Sequence, residues 1–226
     1  PSKAKERLKS MIETRPDWCV SRQRVWGVPL PIFISKKNGK VLIDNEVTEN
    51  IAKIYEKEGS DCWFSDDPQR FLGKKYKASD YNKMSDIVEV WFDSGSTHSY
   101  VLEKRNDLKW PASMYLEGSD QHRGWFHSSL LESCATRGRA PFENILSHGF
   151  VVDGKGLKMS KSLGNIISPD DILKKYGADI LRIWVAASNY AEDLRIDYSI
   201  LEQHAEGYRK IRNTFRYLLG NLNDNF

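Results

Sequence analysis

The sequence is poor in cysteine. Its three residues, Cys19, Cys62 and Cys134, lie far apart and form no C-x-x-C pair. That spacing argues against a disulfide framework and offers no zinc-ligand pattern, so a reducing, cytoplasmic setting is expected, with no protein-bound metal. No apolar run approaches the roughly 20 residues that a membrane-spanning helix needs, and the opening PSKAKERLKS is not a signal peptide. Internal repeats and low-complexity tracts are absent. Neither sign of charge dominates: 34 Lys and Arg against 31 Asp and Glu leave a net charge of +3, which permits a polyanionic partner without requiring one. What the chain does have is aromatic surface. Seven tryptophans among 226 residues suggest apolar pockets as well as core, in a length that holds one large domain or one domain and part of another.

Along the chain, residues 1–31 read as a short polar helix followed by RPDWCVSRQRVWGVPLP, where Pro29 and Pro31 rule out regular helix. PIFISKK-NGK-VLI predicts a hairpin turning at Asn38-Gly39, then a helix over Glu46 to Lys57. A polar run without a strong period follows, so residues 32–86 read as an inserted module. From Asp86 an α/β pattern begins. IVEVWF, MYLEG and NILSHGFVV are strand candidates, the last turning at Asp153-Gly154. SDQHRGWFHSSLLESCATRG reads as a helix with Ser119 or Asp120 near its N-cap and Gly138 past its end. Strands alternating with helices predict a parallel sheet with crossover helices. The last third is helical: Ser168 caps one helix with Pro169 at its first position and Gly177 at its end, and Ala178 to Ser188 forms another. A capping box at Ser199–Glu202 opens a long helix with Leu201, Ala205, Tyr208, Ile211, Phe215 and Leu218 on one face and Gly220 as its cap.

Three groups of residues carry chemistry. GKGLKMSKSLGN, Gly154 to Asn165, sets Lys158 and Lys161 three apart in a loop with glycines at its ends. Ammonium groups on flexible stems can neutralise charge growing on a leaving phosphate; the same residues also fit a solvated hairpin. In YLEGSDQHRGW, Glu117, Gly118, Asp120 and Gln121 fall at a strand end, where α/β sheets bind ligands. Asp120 suits ribose hydroxyls or simply caps the next helix. Trp91 and Trp125 each stand beside a polar, glycine-containing turn, as pocket walls or as core. His122 and His127 are five apart, the wrong spacing for a helical metal pair, and His148 precedes a strand. Arg209, Arg212 and Arg216 share a face of the last helix, while Arg22 and Arg24 flank Gln23; both patches suit phosphate backbones or plain solvent.

Taken together, RPDWCVSRQRVWGVPLP, VWFDSGSTH, YLEGSDQHRGWFHSSLL, HGFVVDGKGLKMSKSLGN, GADILRIWVAAS and YRKIRNTFRYLLGNL resemble, in order, the class I aminoacyl-tRNA synthetases. Within them the isoleucine-specific, bacterial-type branch matches best, and KMSKS, Lys158 to Ser162, is that family's second signature. The resemblance implies a fold and a reaction. The fold is α/β: the C-terminal half of a Rossmann-type nucleotide-binding domain (1–31 and 87–166) with an inserted small α+β module (32–86). Helical stem-contact elements (167–198) and the first helix of an anticodon-binding domain (199–226) would follow. The reaction is ATP-dependent activation of isoleucine, with ATP and Mg2+ as substrate, and transfer to tRNA(Ile). By the same resemblance Lys161 binds ATP and Lys158 assists. Glu117, Gly118, Asp120, Gln121, His148, Met159 and Ser160 meet ATP or the adenylate, Trp91 and Trp125 line the amino-acid pocket, and Arg22, Arg24, Arg209, Arg212 and Arg216 contact tRNA.

One departure matters. The family's first signature, His-x-Gly-His, is absent: His98, His122, His127, His148 and His204 stand in no such motif. The chain is therefore expected to be the second half of a catalytic region, dependent on the missing N-terminal half of the same polypeptide and inactive alone. The competing expectation is a stand-alone nucleotide- or tRNA-binding module that kept the fold and lost catalysis.

Overall fold

The computed structural model describes residues 2–222. In chain order the elements are α1 (Ser2–Glu13), β1 (Ser21–Arg22), β2 (Phe33–Ser35), α2 (Asn45–Glu58), α3 (Cys62–Ser65), α4 (Pro68–Leu72), β3 (Tyr81–Lys83), β4 (Ile87–Val88) and α5 (Val90–Gly95). Then come β5 (Tyr115–Gly118), α6 (Trp125–Arg137), β6 (Ile145–His148), β7 (Val151–Asp153), α7 (Pro169–Tyr176), α8 (Ala178–Ala187), β8 (Leu194–Ile196) and α9 (Tyr198–Leu222). The chain divides into two compact units, Pro1–Met114 with Gln121–Asn144, and Tyr115–Asp120 with Ile145–Phe226.

In the first unit, Phe33, Val47, Ile51, Trp63, Phe71 and Leu72 form a buried core. The sequence run after α2 looked structureless, yet it supplies half of that core. Trp63 packs on Phe71 with ring centroids 4.9 Å apart and on Phe33 at 5.1 Å. Its Nε1 donates to the Met84 carbonyl at 2.8 Å, which satisfies the one polar atom of a fully buried side chain. Asp44 starts α2: Oδ1 accepts from the Glu46 and Val47 amides, while Oδ2 takes Lys75 Nζ at 2.5 Å and Tyr76 Oη at 2.7 Å. The Asn38-Gly39 turn forms as expected, with Gly39 at φ +69° and a bridge between Ile34 and Val41. The ladder partner of β2, however, is β3, antiparallel.

The second unit contains two parallel ladders. In β5–β6, Tyr115 pairs with Ile145 and Gly118 with His148; in β7–β8, Val151 pairs with Leu194 and Asp153 with Ile196. Its core is Ile172, Ile180, Trp184, Ile196, Leu201 and Ala205. Ser168 caps α7, its side chain accepting from the Asp170 amide, with Pro169 in the first turn. No helix among the described residues is long and apolar enough to cross a membrane.

Several local expectations are corrected. IVEVWF is strand only at Ile87–Val88, antiparallel to β1. The Glu89 carboxylate then accepts from the Trp91 amide at 3.0 Å and caps α5, so a side-chain cap overrides β-branched propensity. The helix expected from Ser119 or Asp120 starts at Trp125, after a 3-10 turn over Ser119–His122. NILSHGFVV is two strands. At Gly149 the chain changes partner, the Gly149 amide donating to the Tyr190 carbonyl and the Phe150 amide to Asp193 Oδ1. The start of α9 is capped by Asp197, not Ser199: Asp197 Oδ1 accepts from the Ile200 amide and the Ser199 hydroxyl, both at 2.7 Å. Gly220 lies inside α9 rather than beyond it. On that helix Leu201 and Ala205 are buried, while Ile211, Phe215 and Leu218 are exposed.

Candidate active site

The first unit gathers Trp91, Gln121, Gly124 and Trp125. Gly124 precedes α6 and offers no side chain to cap it; Gln121 does so instead, its Oε1 accepting from the Trp125 amide at 2.9 Å. A Cβ on Gly124 would lie 2.5 Å from Gln121 Oε1 and 2.9 Å from Trp91 Cη2. The absence of a side chain at 124 lets the start of α6 approach the rim of the Trp91 ring. Trp125 is held by its Nε1, which donates to the Ser94 carbonyl at 2.9 Å. A cavity of about 160 Å³ opens here, lined among others by Arg15, Trp18, Trp91, Arg123, Gly124 and His127. Trp91 faces this cavity and Trp125 does not. Burial lowers the His127 imidazole below its ordinary value, with the Arg15 charge adding to the effect. That favours the neutral ring. Sequence reading missed Arg15 and Trp18 as cavity residues; nothing in their spacing marks them.

In the second unit, Glu117 and Gly118 end β5 opposite Ser147 and His148 of β6. Gly118 lies close under its own neighbour: a Cβ there would stand 2.6 Å from Asp120 Oδ1 and push that carboxylate aside. His148 Nδ1 lies 2.8 Å from the Gly149 carbonyl. The lysine loop leaves β7. Lys158 and Lys161 are exposed, and Met159 packs against the second core, so the loop is anchored at one of the two residues between its cations. Ser160 is tied through its backbone, its amide donating to Asn165 Oδ1 at 2.9 Å, and its hydroxyl lies 3.1 Å from that of Ser162. The loop's ends are thus hydrogen-bonded, not free, although glycines flank it. Asp153, read from sequence only as a turn residue, accepts from the Lys155 and Leu157 amides and from Asn165 Nδ2. The Asn165 hydrogen bond first, then that of the Leu157 amide, hold its carboxyl below the usual carboxylate value.

The arginines are disposed differently. Arg22 is engaged internally, Nη1 donating to the Cys19 and Ser21 carbonyls and Nη2 lying 3.7 Å from Glu89 Oε1. Arg24 is exposed. On α9, Arg209 pairs with Glu202 at 2.9 Å, and Arg212 and Arg216 are exposed. Among the described residues no three His, Cys, Asp or Glu side chains gather as metal ligands.

These elements define an α/β protein with a cationic loop after a parallel strand, and comparison with known proteins places it. The model of the family "tRNA synthetases class I (I, L, M and V)" matches residues 1–197, and the chain belongs to that family. Its relatives include the isoleucine–tRNA ligase of Pelagibacter ubique, 83% identical over 226 residues, which are the whole of this chain and 25% of that protein. The isoleucine–tRNA ligase of Caldicellulosiruptor bescii is 57% identical over 229 residues, 99% of this chain and 25% of that protein. The chain thus spans about a quarter of the length of the curated relatives it matches. Among solved structures, the LeuRS of Agrobacterium radiobacter K84, in a ternary complex with tRNA and LeuAMS, superposes with a TM-score of 0.67 at 22% identity over 99% of this chain and 32% of that one. Mycobacterium tuberculosis methionyl-tRNA synthetase in complex with methionyl-adenylate gives a TM-score of 0.57 at 17% identity over 90% of this chain and 31% of that one. These two likenesses concern the fold.

Proposed function

We propose that this chain is the distal part of the catalytic region of an isoleucine–tRNA ligase, working in the cytoplasm as a segment of a longer polypeptide. An isoleucine carboxylate oxygen attacks the α-phosphorus of ATP, and pyrophosphate leaves. A terminal ribose hydroxyl of tRNA(Ile) then attacks the adenylate carbonyl, and AMP leaves. The carboxylate is already ionised at neutral pH, so the first step needs no general base; positioning and neutralisation of the departing pyrophosphate carry it. Mg2+ enters with the nucleotide as substrate. The observation that carries this reading is the lysine loop, which presents Lys158 and Lys161 to solvent from a backbone anchored by Met159 and Asn165.

In this reading Lys161 and Lys158 meet the phosphates, beside Ser160. Glu117, Gly118, Asp120 and His148 serve the adenylate, with Asp120 on its ribose. Gln121 meets the amino-acid end and Trp91 the aliphatic side chain, while Trp125, outside the cavity lining and held on the Ser94 carbonyl, would reach that side chain only from the cavity's edge. Met159 acts from beneath the loop. Arg24, Arg212 and Arg216 offer open charge for tRNA, with Arg22 and Arg209 behind their ion pairs. The domain reading assigns 1–31 and 87–166 to the nucleotide fold, 32–86 to the insertion, 167–198 to stem contact and 199–226 to the anticodon domain; residues 1 and 223–226 fall outside those described.

The test is amino-acid-dependent ATP–pyrophosphate exchange, run on the 226-residue chain and on a polypeptide extended to the relatives' length. Exchange with isoleucine, well above that with valine or leucine, is expected from the long polypeptide alone. Isoleucine-dependent exchange by the short chain overturns the dependence on a missing half. Salt-sensitive tRNA binding without exchange in either would favour the binding-module reading.

A further inference from the structure

The lysine loop closes on itself through one amide side chain. Asn165, at the far end of the loop, reaches back to its start. Nδ2 donates to Asp153 Oδ2 at 2.9 Å and to the Lys158 carbonyl at 3.3 Å, and Oδ1 accepts from the Ser160 amide at 2.9 Å. Only one orientation of the amide serves an acceptor carboxylate, an acceptor carbonyl and a donor N–H together. The Asp153 carboxylate completes the closure with its other oxygen, which takes the Leu157 amide at 2.8 Å and the Lys155 amide at 3.0 Å. The backbone is therefore fixed at residues 153, 155, 157, 158 and 160. Both Lys158 and Lys161 lie within the segment that Asn165 closes, Lys158 with its own carbonyl held and Lys161 next to the held Ser160 amide. Loops in water adopt many conformations, and fixing one before the substrate arrives removes an ordering cost from the reaction itself.

We propose that Asn165, latched to Asp153, is a positioning residue that sets Lys158 and Lys161 in the arrangement that meets the nucleotide phosphates. It acts through the loop backbone and touches no reacting atom. The inference rests on the reading of the loop given above and adds to it the group that orders the loop. The charged groups around the latch are Asp153, Lys155, Lys158 and Lys161 on the loop itself, with Arg195 of β8 beside Gly156 and Asp197 against Gly154.

The test uses the full-length polypeptide with N165A, N165D, D153N and the exchanged pair D153N/N165D. In N165A, kcat for isoleucine-dependent exchange should fall about 10- to 100-fold, the scale of an ångström-size misplacement, with the KM for isoleucine within twofold. N165D sets two ionised carboxylates together and should lose more of the rate than N165A at pH 7. The exchanged pair restores the amide–carboxylate contact with its sense reversed but sets a carboxylate oxygen against the Lys158 carbonyl, so it should recover only part of the lost rate. N165A kinetics within twofold of wild type overturn the latch. If the wild-type polypeptide shows no exchange at all, the functional reading fails, and hydrogen exchange of the Ser160 amide decides the latch separately. Faster exchange in N165A supports it, and unchanged protection overturns it.

Discussion

Gly95 lies flat against Glu132. A Cβ at position 95 would overlap Oε1 of that carboxyl and stand 2.8 Å from its Cδ and 3.0 Å from Ser128 Oγ. Glu132 is 9% exposed, and its Oε1 has no hydrogen-bond partner among the described residues. Burial first, and the Asp93 carboxylate second, push its carboxyl up to about 8, so α6 carries a neutral acid at physiological pH.

The sign of the pH dependence follows. A carboxyl raised on folding binds its proton more tightly in the native chain, so its contribution is complete below the ordinary value of 4.5 and is lost as pH rises toward about 8. Stability of the chain should decline across that window, and E132Q should flatten the decline. Urea titrations at pH 5 and pH 8 measure it. G95A should destabilise at both, by about 1–3 kcal/mol, because the added methyl overpacks the contact.

Asp44 predicts the opposite slope. The Lys75 and Tyr76 contacts, the largest causes, with the two amide bonds, depress its carboxyl far below the usual 3.8. A depressed carboxyl stabilises above its unfolded value and loses that contribution as pH falls through its folded one. D44A should lower Tm at pH 7, and the gap from wild type should narrow as pH drops below 3.8. Circular dichroism melts between pH 7 and pH 2 test this.

Removing either loop cation should leave the amino-acid pocket untouched. K161A and K158A in the full-length polypeptide should each lower kcat for exchange about 10²- to 10³-fold, the scale of losing one electrostatic stabiliser. The isoleucine KM should stay within twofold. A larger rise in that KM than fall in kcat would place the lysines elsewhere.

Pocket variants should show the reverse split. G124A drives a methyl into Gln121 Oε1 and the Trp91 ring. It should raise the isoleucine KM about tenfold, on the scale of a small misfit in an apolar pocket, while the ATP KM holds. W91A should do at least as much.

Legibility in the sequence followed locality. Ser168-Pro169, Asn38-Gly39 and Gly138 were readable because a cap or a positive φ is decided by the residue and its immediate neighbours. Tyr115–Gly118 was readable because a short apolar run ended in glycine. IVEVWF misled because the Glu89 side chain turned the chain into α5. Ser199–Glu202 satisfied a capping pattern, but Asp197, two residues earlier, took the Ile200 amide first, and Glu202 turned to Arg209. The core role of Trp63 and Phe71 was hidden because their partners Phe33, Val47 and Ile51 come from other elements. At the site, Lys158, Lys161, Trp91 and Gln121 were visible as residue types in a motif. Asp153 and Asn165 were not, because their meaning lies in a contact twelve residues long.

Asp197 faces two ways. One oxygen holds the Ile200 amide at the start of α9, and the other packs where a Cβ of Gly154 would overlap it, at the root of the lysine loop. The carboxylate thus ties the root of the lysine loop to the start of α9. The 25 residues of α9 make a rod about 37 Å long at 1.5 Å per residue. On that rod Arg216 stands about 27 Å from Tyr198, so the root of the lysine loop and a charged stretch far from it start from the same carboxylate.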